Sequence, residues 1–516
     1  MITTANPNGP VVLVSHQLSY AFPFSYAYLA GALRQAGFEV RVLFRPDQAR
    51  DFPDLVRAVM DCKPMLVGFG NLYPELQPIS RIVAQLDQAG RDFPVVVGGQ
   101  MVSPTPEFAV QTAGAEIGII GEGELTLVAL ARALRQGEDP ASVGGMVLRE
   151  NGTALHTGPG EYIQDLSALP ELPYDLFPKE KWLYAGKVFT HYPQPQWRYD
   201  DRVISIHGGR GCPYRCNFCY HHSRIRYRKI DEMMAEAQEL LRRFDGNMLM
   251  FSDDLVLASP RRAEKLVSLL RGLDRKVDYR ITCRFDVLSR IDDELLKEMK
   301  RTGLRIMALG IESGSQRILD IMDKRITVDQ IREGVARLAR VGVFASGNFM
   351  FGQISETRED VDASIRLMRE LCGLHPHIQM SSTIATPFPG SGLYDYALKQ
   401  GLIRDHQDFY DRFNSFVDIS VNLSAMSDDE LLQAKHDFDA AYREARTDSS
   451  GRAIKVVEAA IRRLARADPI WRRALFGASR DTPPGWYAAS YDTVQRTLGR
   501  LQLGLRGISK FEHQVT

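Results

Sequence analysis

"GGRGCPYRCNFCYHH" occupies residues 208–222 and holds three of the six cysteines of a 516-residue chain. Cys212, Cys216 and Cys219 are spaced C-x3-C-x2-C, with Phe218 directly before the third. The surrounding composition is that of a globular chain, 44% hydrophobic and 25% charged. At about 100–200 residues per domain the length suggests about three domains, each able to bury its own core. Lys+Arg and Asp+Glu are both 64, which argues against a nucleic-acid binder with its basic excess. The opening residues, "MITTANPNGPVVLVSH", lack the charged leader and apolar core of a signal peptide. No apolar run approaches the ~18–20 residues that span a bilayer. A cytoplasmic protein is expected, in which thiols stay reduced and clustered cysteines serve metal or redox chemistry.

Thiolates are soft ligands suited to iron–sulfur clusters, and three on one loop can hold three irons of a cubane. A structural zinc site wants a fourth Cys or His. His221 and His222 follow in the chain, but adjacent residues reach back poorly to the same metal. Gly208, Gly209, Gly211 and Pro213 frame the cysteines in a tight loop after the apolar stretch "RVISIH". That setting favours a ligand loop over idle thiols.

From Arg202 to Gly401 the strands "RVISIH", "NMLMFSDD", "DYRITCRF", "LRIMALGIESGS", "GVFASGNFMFGQ" and "HIQMSSTIATPFPGS" alternate with helical stretches. About six βα units suit parallel strands covered by helices. Residues 1–160 repeat the pattern five times and predict an open, doubly wound α/β sheet of Rossmann-like or flavodoxin-like type. No GxGxxG follows its first strand, so a nicotinamide site has little support. Residues 161–200, proline-rich in "IQDLSALPELPYDLFPKEKW", read as a surface linker. Residues 402–516 read as mostly helical. Their last stretch, 451–516, carries 12 Lys/Arg against 5 Asp/Glu. A solvated basic face is preferred there to a membrane or nucleic-acid contact.

The cysteine loop closely resembles the signature of the radical S-adenosylmethionine (SAM) superfamily. The resemblance implies a [4Fe–4S] cluster on Cys212, Cys216 and Cys219. Its fourth iron stays open to chelate the SAM methionine group, and SAM is cleaved to a 5′-deoxyadenosyl radical. It also implies a partial (β/α)6 TIM-type barrel over residues 201–401, with chemistry at the C-terminal strand ends. On that pattern Phe218 belongs to the SAM site. Ser252, Asp253 and Asp254 accept from the SAM amine, Arg284 pairs with its carboxylate, and Glu312 contacts the ribose. Asn348 lies in the fifth strand, and Pro387–Gly390 follow the sixth beside the adenine. Cys283, also at a strand end, reads as a buried small hydrophobe.

The N-terminal unit resembles, in pattern and position, the cobalamin-binding domain of B12-dependent radical SAM enzymes. The residues that carry this are "LAGALRQAGFEV" (29–40), "VGFGNL" (67–72), "VVVGGQMVSPTPE" (95–107) and "GEGE" (121–124). The resemblance implies that Gly70, Asn71 and Leu72 line the pocket of the nucleotide tail. It sets Gly98, Gly99, Gln100, Gly121, Glu122 and Gly123 against the cofactor, with bare backbone at Gly98 and Gly99 admitting the corrin tail. The GEGE stretch reads equally as a helix start, with Glu122 and Glu124 favoured by the helix dipole. The aspartate–histidine–glycine motif that supplies an axial imidazole in classical B12 methyltransferases is absent. His16 is the candidate axial ligand, but base-off cobalamin with no protein nitrogen is expected.

The implied activity is C-methylation of an unactivated carbon in a small biosynthetic intermediate, using two SAM molecules per turnover. A B12-dependent radical SAM cyclase or oxidase is the enzymatic alternative; a cobalamin- or cluster-binding sensor without turnover is the other. Implied partners are a small-molecule substrate and an electron donor such as flavodoxin or ferredoxin. No nucleic acid is expected, and the chain is read as a monomer or homodimer.

Overall fold

The computed structural model describes residues 2–16, 22–45, 52–70, 72–150, 152–184, 196–198, 200–220, 223–415 and 418–446. Valine-rich runs build the first sheet. β1 (Val11–His16), β2 (Val40–Arg45), β3 (Leu66–Gly70), β4 (Val95–Gly98) and β5 (Ile117–Ile119) pair in parallel in the order 2-1-3-4-5. In β1, Val11 and Leu13 enter one core while Val12 and Val14 enter the other. Burial on both faces is why the strand reads as an unbroken apolar run. Helices α1 (Phe24–Gln35), α2 (Pro53–Asp61), α3 (Leu76–Gln88), α4 (Pro106–Ala113) and α5 (Glu124–Gln136) cover it. Pro53 and Pro106 stand at helix starts, where a missing N–H costs nothing. The strand order reverses between β1 and β3, which opens a crevice beyond their C-terminal ends.

The sheet extends past the five expected repeats. β6 (Met146–Glu150) and β7 (Thr153–His156) add an antiparallel hairpin at the β5 edge. The Asn151-Gly152 pair between them is a strong short-range hairpin signal, and Gly152 has φ +77°.

The stretch read as a surface linker is packed instead. Leu166, Leu172, Phe177 and Trp182 are buried. Ring centroids of Phe22 and Tyr174 lie 4.6 Å apart, those of Phe22 and Trp182 5.2 Å, and those of Trp182 and Phe244 5.1 Å. This aromatic cluster glues the first sheet's α1 side to the helix Ile230–Arg243 of the second unit. The prolines suggest a linker, but burial of four large rings outweighs the cost of ordering an irregular chain.

The second unit begins with β8 (Val203–Ile206) and a two-stranded antiparallel pair, β9 (Gly209–Arg210) and β10 (Arg226–Tyr227). β11 (Met248–Phe251), β12 (Asp278–Cys283), β13 (Leu304–Glu312), β14 (Phe344–Phe351) and β15 (Gln379–Ile384) then join β8 in one parallel sheet, order 8-11-12-13-14-15. All six expected strands form. Ser259 and Asp292 cap the following helices by accepting from Arg262 and Leu295 N–H, and Thr327 with Gln330 makes a capping box. Tyr279, Ile281 and Cys283 join the core beneath the helices, so Asp278, Arg280 and Thr282 face the barrel lumen. Trp197, Val203, Met248, Met250 and Ile306 form an apolar plug in that lumen.

A helix over 428–446 lies on the outer face. Its Phe438 ring sits 4.7 Å from Phe349 and 5.0 Å from Phe351, and Tyr442 Oη accepts the edge-strand N–H of Met380 at 2.8 Å. The basic stretch expected to be helical over 451–467 falls outside the described residues. Among the described residues no helix is long and apolar enough to cross a membrane.

Candidate functional site

The cysteine loop hangs between β9 and β10, where Arg210 pairs with Arg226 and Gly209 with Tyr227. Gly211 has φ +79°, and a Cβ there would sit 2.7 Å from the Ser223 carbonyl. Only glycine fits that turn. Asn217 pins the loop from the far side: its N–H donates to Met322 O at 3.0 Å and its side chain to Ile321 O at 2.9 Å. Cys216 is buried, Cys212 half-buried and Cys219 exposed. Burial pushes the Cys212 thiol up. Thiols in such a place need metal to become thiolates.

Three thiol donors on one loop are the donor set that suits a cubane with one open iron. Among the described residues no three His, Cys, Asp or Glu side chains converge as ligands of one metal ion. Arg284 Nη1 lies 3.7 Å from Cys216 Sγ, where a cation offsets anionic sulfur.

The strand ends around this loop carry the other expected residues. Asp253 is buried after β11, and its Oδ1 accepts Gly208 N–H at 2.7 Å, so it fixes the glycines that lead into the loop. Its Oδ2 has no partner. Burial raises its pKa to about 7, against the pull of the Gly208 N–H and Arg262. Ser252 and Asp254 are exposed. Arg284 is committed to Asp286 at 2.9 Å and to the Lys324 carbonyl, and its guanidinium lies 3.5 Å over the Tyr214 ring. Its place is therefore the cluster loop, and a SAM carboxylate would have to share it. Glu312 closes β13, buried, and pairs with Lys324 Nζ at 2.7 Å. Its φ is +65°, a strained left-handed residue where β13 slips register. Phe218 lies within 5.5 Å of the same Lys324 ammonium. Asn348 points to Thr383 and Ser381 on β15, at 3.3 and 3.0 Å. Gly390, at φ +84°, lies against Tyr220 and Pro104, so the stretch Pro387–Gly390 touches the first unit. Cys283 is buried and its thiol is held protonated, as a small hydrophobe should be.

The crevice of the first sheet is a cavity of about 310 Å³. Gly70, Leu72, Gly98, Gly99 and Gln100 line one side; Gly121, Glu122 and Gly123 line the other. A Cβ on Gly98 would meet Ile119 at 3.8 Å, an ordinary van der Waals contact. Gly99 has φ +83°. Tyr26 Oη, buried on the wall, donates to Gly70 O at 2.6 Å and accepts Gly70 N–H at 3.0 Å. Apolar walls with presented backbone suit the tail of a large organic cofactor. Asn71 falls outside the described residues. His16 ends β1, with its side chain outside the described set.

The carboxylate of Glu122, on the cavity wall, is committed to protein partners. It pairs with Arg210 at 3.0 Å and with Arg226, and accepts from Ser223 at 2.8 Å; Glu124 pairs with Arg210 at 2.5 Å. Burial opposes ionisation of Glu122, yet Arg226, Arg210 and Ser223 hold its pKa below the ordinary value. These partners bracket the cysteine loop, so GEGE clamps the two units together. The helix proper starts at Glu124. Arg210 and His207 of the barrel also line the cavity, with Tyr28 Oη 3.4 Å from His207 Nδ1. Sequence reasoning overlooked Tyr26, Tyr28, His207 and Arg210. The aromatic spacing in "FSYAYLA" and the arginine inside "GGRGC" were the only signals.

Two family models match the regions that hold these two sites. Residues 206–368 match the model of the radical SAM superfamily, and residues 10–131 match the B12 binding domain. The chain carries a radical SAM domain and a B12 binding domain. The two domains imply a [4Fe–4S] cluster, SAM and cobalamin. The uncharacterised methyltransferase PH0819 of Pyrococcus horikoshii is 27% identical over 386 residues, 74% of this chain and 79% of that one. The anaerobic magnesium-protoporphyrin IX monomethyl ester cyclase of Rubrivivax gelatinosus is 25% identical over 422 residues, 80% of this chain and 71% of that one. The radical SAM methyltransferase TsrM of Kitasatospora setae, solved with cobalamin and a [4Fe–4S] cluster, superposes with a TM-score of 0.60 at 21% identity, covering 76% of this chain and 75% of that one.

Proposed function

We propose that this radical SAM protein is a B12-dependent methyltransferase acting on an unactivated carbon of a small biosynthetic intermediate. The observation that carries the reading is the seam: the glycine-walled cavity and the cysteine loop share Arg210, which lines one and brackets the other. When bound, the cluster supplies the electron that cleaves SAM, and cobalamin carries the methyl group. The chain's own residues bind, orient and exclude water. Cys212, Cys216 and Cys219 hold iron, Asp253 fixes the loop through Gly208, and Arg284 steadies Cys216. Glu312, Asn348 and Phe218 orient SAM beside Asp254 and Ser252. Gly98 and Gly99 admit the cobalamin tail, with Gly70, Leu72, Gln100, Gly121 and Gly123 around it. The apolar plug below and the aromatic seam between the units keep water from the reacting atoms.

In this reading residues 1–160 carry cobalamin, 201–401 carry cluster and SAM, and 402–516 close the substrate side. A reduced flavodoxin or ferredoxin feeds the cluster in the cytoplasm, and the chain works as a monomer or homodimer. Anaerobic turnover with methyl-labelled SAM and a metabolite pool tests it: label must enter a product. Deoxyadenosine released without labelled product would favour ring formation, as in the cyclase relative. No deoxyadenosine at all would leave a sensor.

A further inference from the structure

The barrel lumen carries few charges, and most have partners. Glu312 is held by Lys324 and Arg284 by Asp286. Arg280, on β12, is the exception. It alternates with the buried Tyr279 and Ile281, so it projects into the lumen. Its strand neighbours in register are Met250 and Ile306, both members of the apolar plug. Among the described residues no hydrogen bond, ion pair or ring engages its guanidinium. Burial alone acts on its pKa, lowering it, with no carboxylate to oppose that. Toward the strand ends the next lumen positions are small: Thr282, Ala308 and Ser346 stand in register, with Gly310 beyond. The half-buried Arg280 thus stands in register with an apolar floor, and the positions that follow it toward the strand ends are small. Arg284, four residues along at about 3.3 Å each, lies ~13 Å away.

A charge with no partner in an apolar setting is costly, and a bound anion removes that cost. The planar guanidinium fork matches carboxylate and phosphate-type oxygens two at a time. We infer that Arg280 is the subsite for an oxyanion of the substrate, so that the molecule modified here is a small acid. This inference deepens the proposed function and rests on it.

The test uses protein loaded with cluster and cobalamin, with SAM present. Thermal unfolding is followed as inorganic phosphate or butyrate is added, one probe for each oxyanion type. Wild type is expected to gain stability saturably with at least one probe. In Arg280→Met the half-saturating concentration is expected to rise at least tenfold, while Arg280→Lys keeps part of the response. Without added anion, Arg280→Met is expected to melt above wild type; an arginine that braces the fold would make it melt lower. An unchanged anion response in Arg280→Met, or no response in wild type, overturns the inference. So does a tenfold loss of SAM affinity in Arg280→Met, which would assign the arginine to the SAM carboxylate. Should Arg280→Met not fold, Arg280→Gln replaces it in each measurement. Failure of the methyltransferase reading shows separately, as wild type that releases deoxyadenosine and binds the anion yet transfers no methyl group.

Discussion

Where the first sheet ends, Gly70, Gly98, Gly99 and Gly121 leave the cavity walled by backbone. Where the barrel sheet ends, Glu312 with Lys324 and Arg284 with Asp286 fill the rim with buried ion pairs. On the proposed function, one surface receives its ligand by omitting side chains and the other by pre-arranging charge. The first is vulnerable to added volume; the second depends on which groups are ionised. Substitutions can therefore separate the two sites.

The largest effect is expected from replacing Cys212, Cys216 and Cys219 with Ala. Absorption from the cluster and all SAM cleavage should vanish while the cavity of the first sheet still takes cobalamin; residual deoxyadenosine would break the contrast. Gly99→Val comes next. It adds volume at a left-handed backbone position, so cobalamin retention after reconstitution should be lost while SAM cleavage persists. Equal loss of both would mean the sites are not separable.

Asp253 probes the charge side through pH. Its pKa is raised from 3.8 to about 7 in the folded protein, so the native state holds a proton the unfolded chain has released. Its favourable contribution is present below about pH 4 and is lost as pH rises to 7, by at most about 4 kcal/mol. Denaturant titrations of Asp253→Asn should lack that component; a curve parallel to wild type would refute it. Glu312→Gln should weaken SAM binding by roughly 1–3 kcal/mol if the carboxylate accepts ribose hydroxyls, as equilibrium dialysis can measure. The smallest effect is expected from His16→Ala: cobalamin bound with an unchanged visible spectrum. A shifted spectrum would put an imidazole on cobalt.

Local pattern carried much of this architecture. The β12 run "DYRITC" shows its two faces directly, and the six barrel strands follow from such alternation. The β6–β7 hairpin was equally legible at Asn151-Gly152, but a run of βα repeats draws attention away from it. Long-range pairing was not legible. Glu122 meets Arg226 across 104 positions in the chain, and nothing near "GEGE" points there. Likewise Arg280 looks like any polar strand residue until its neighbours prove to be Met250 and Ile306. The packing of residues 161–184 depended on rings contributed by both units, which proline content hides.

The clamp formed by Glu122 has a consequence for how the molecule responds to ionic strength. Its side chain is 9% exposed and that of Arg210 is 12% exposed, so mobile ions cannot reach between them. Pairs such as Arg34–Asp175, at 37% and 60% exposure, lose their attraction as salt rises above about 0.1 M, where the screening length is about 10 Å. Added salt therefore strips the periphery of its electrostatic support and leaves the joint between cavity and cysteine loop shut.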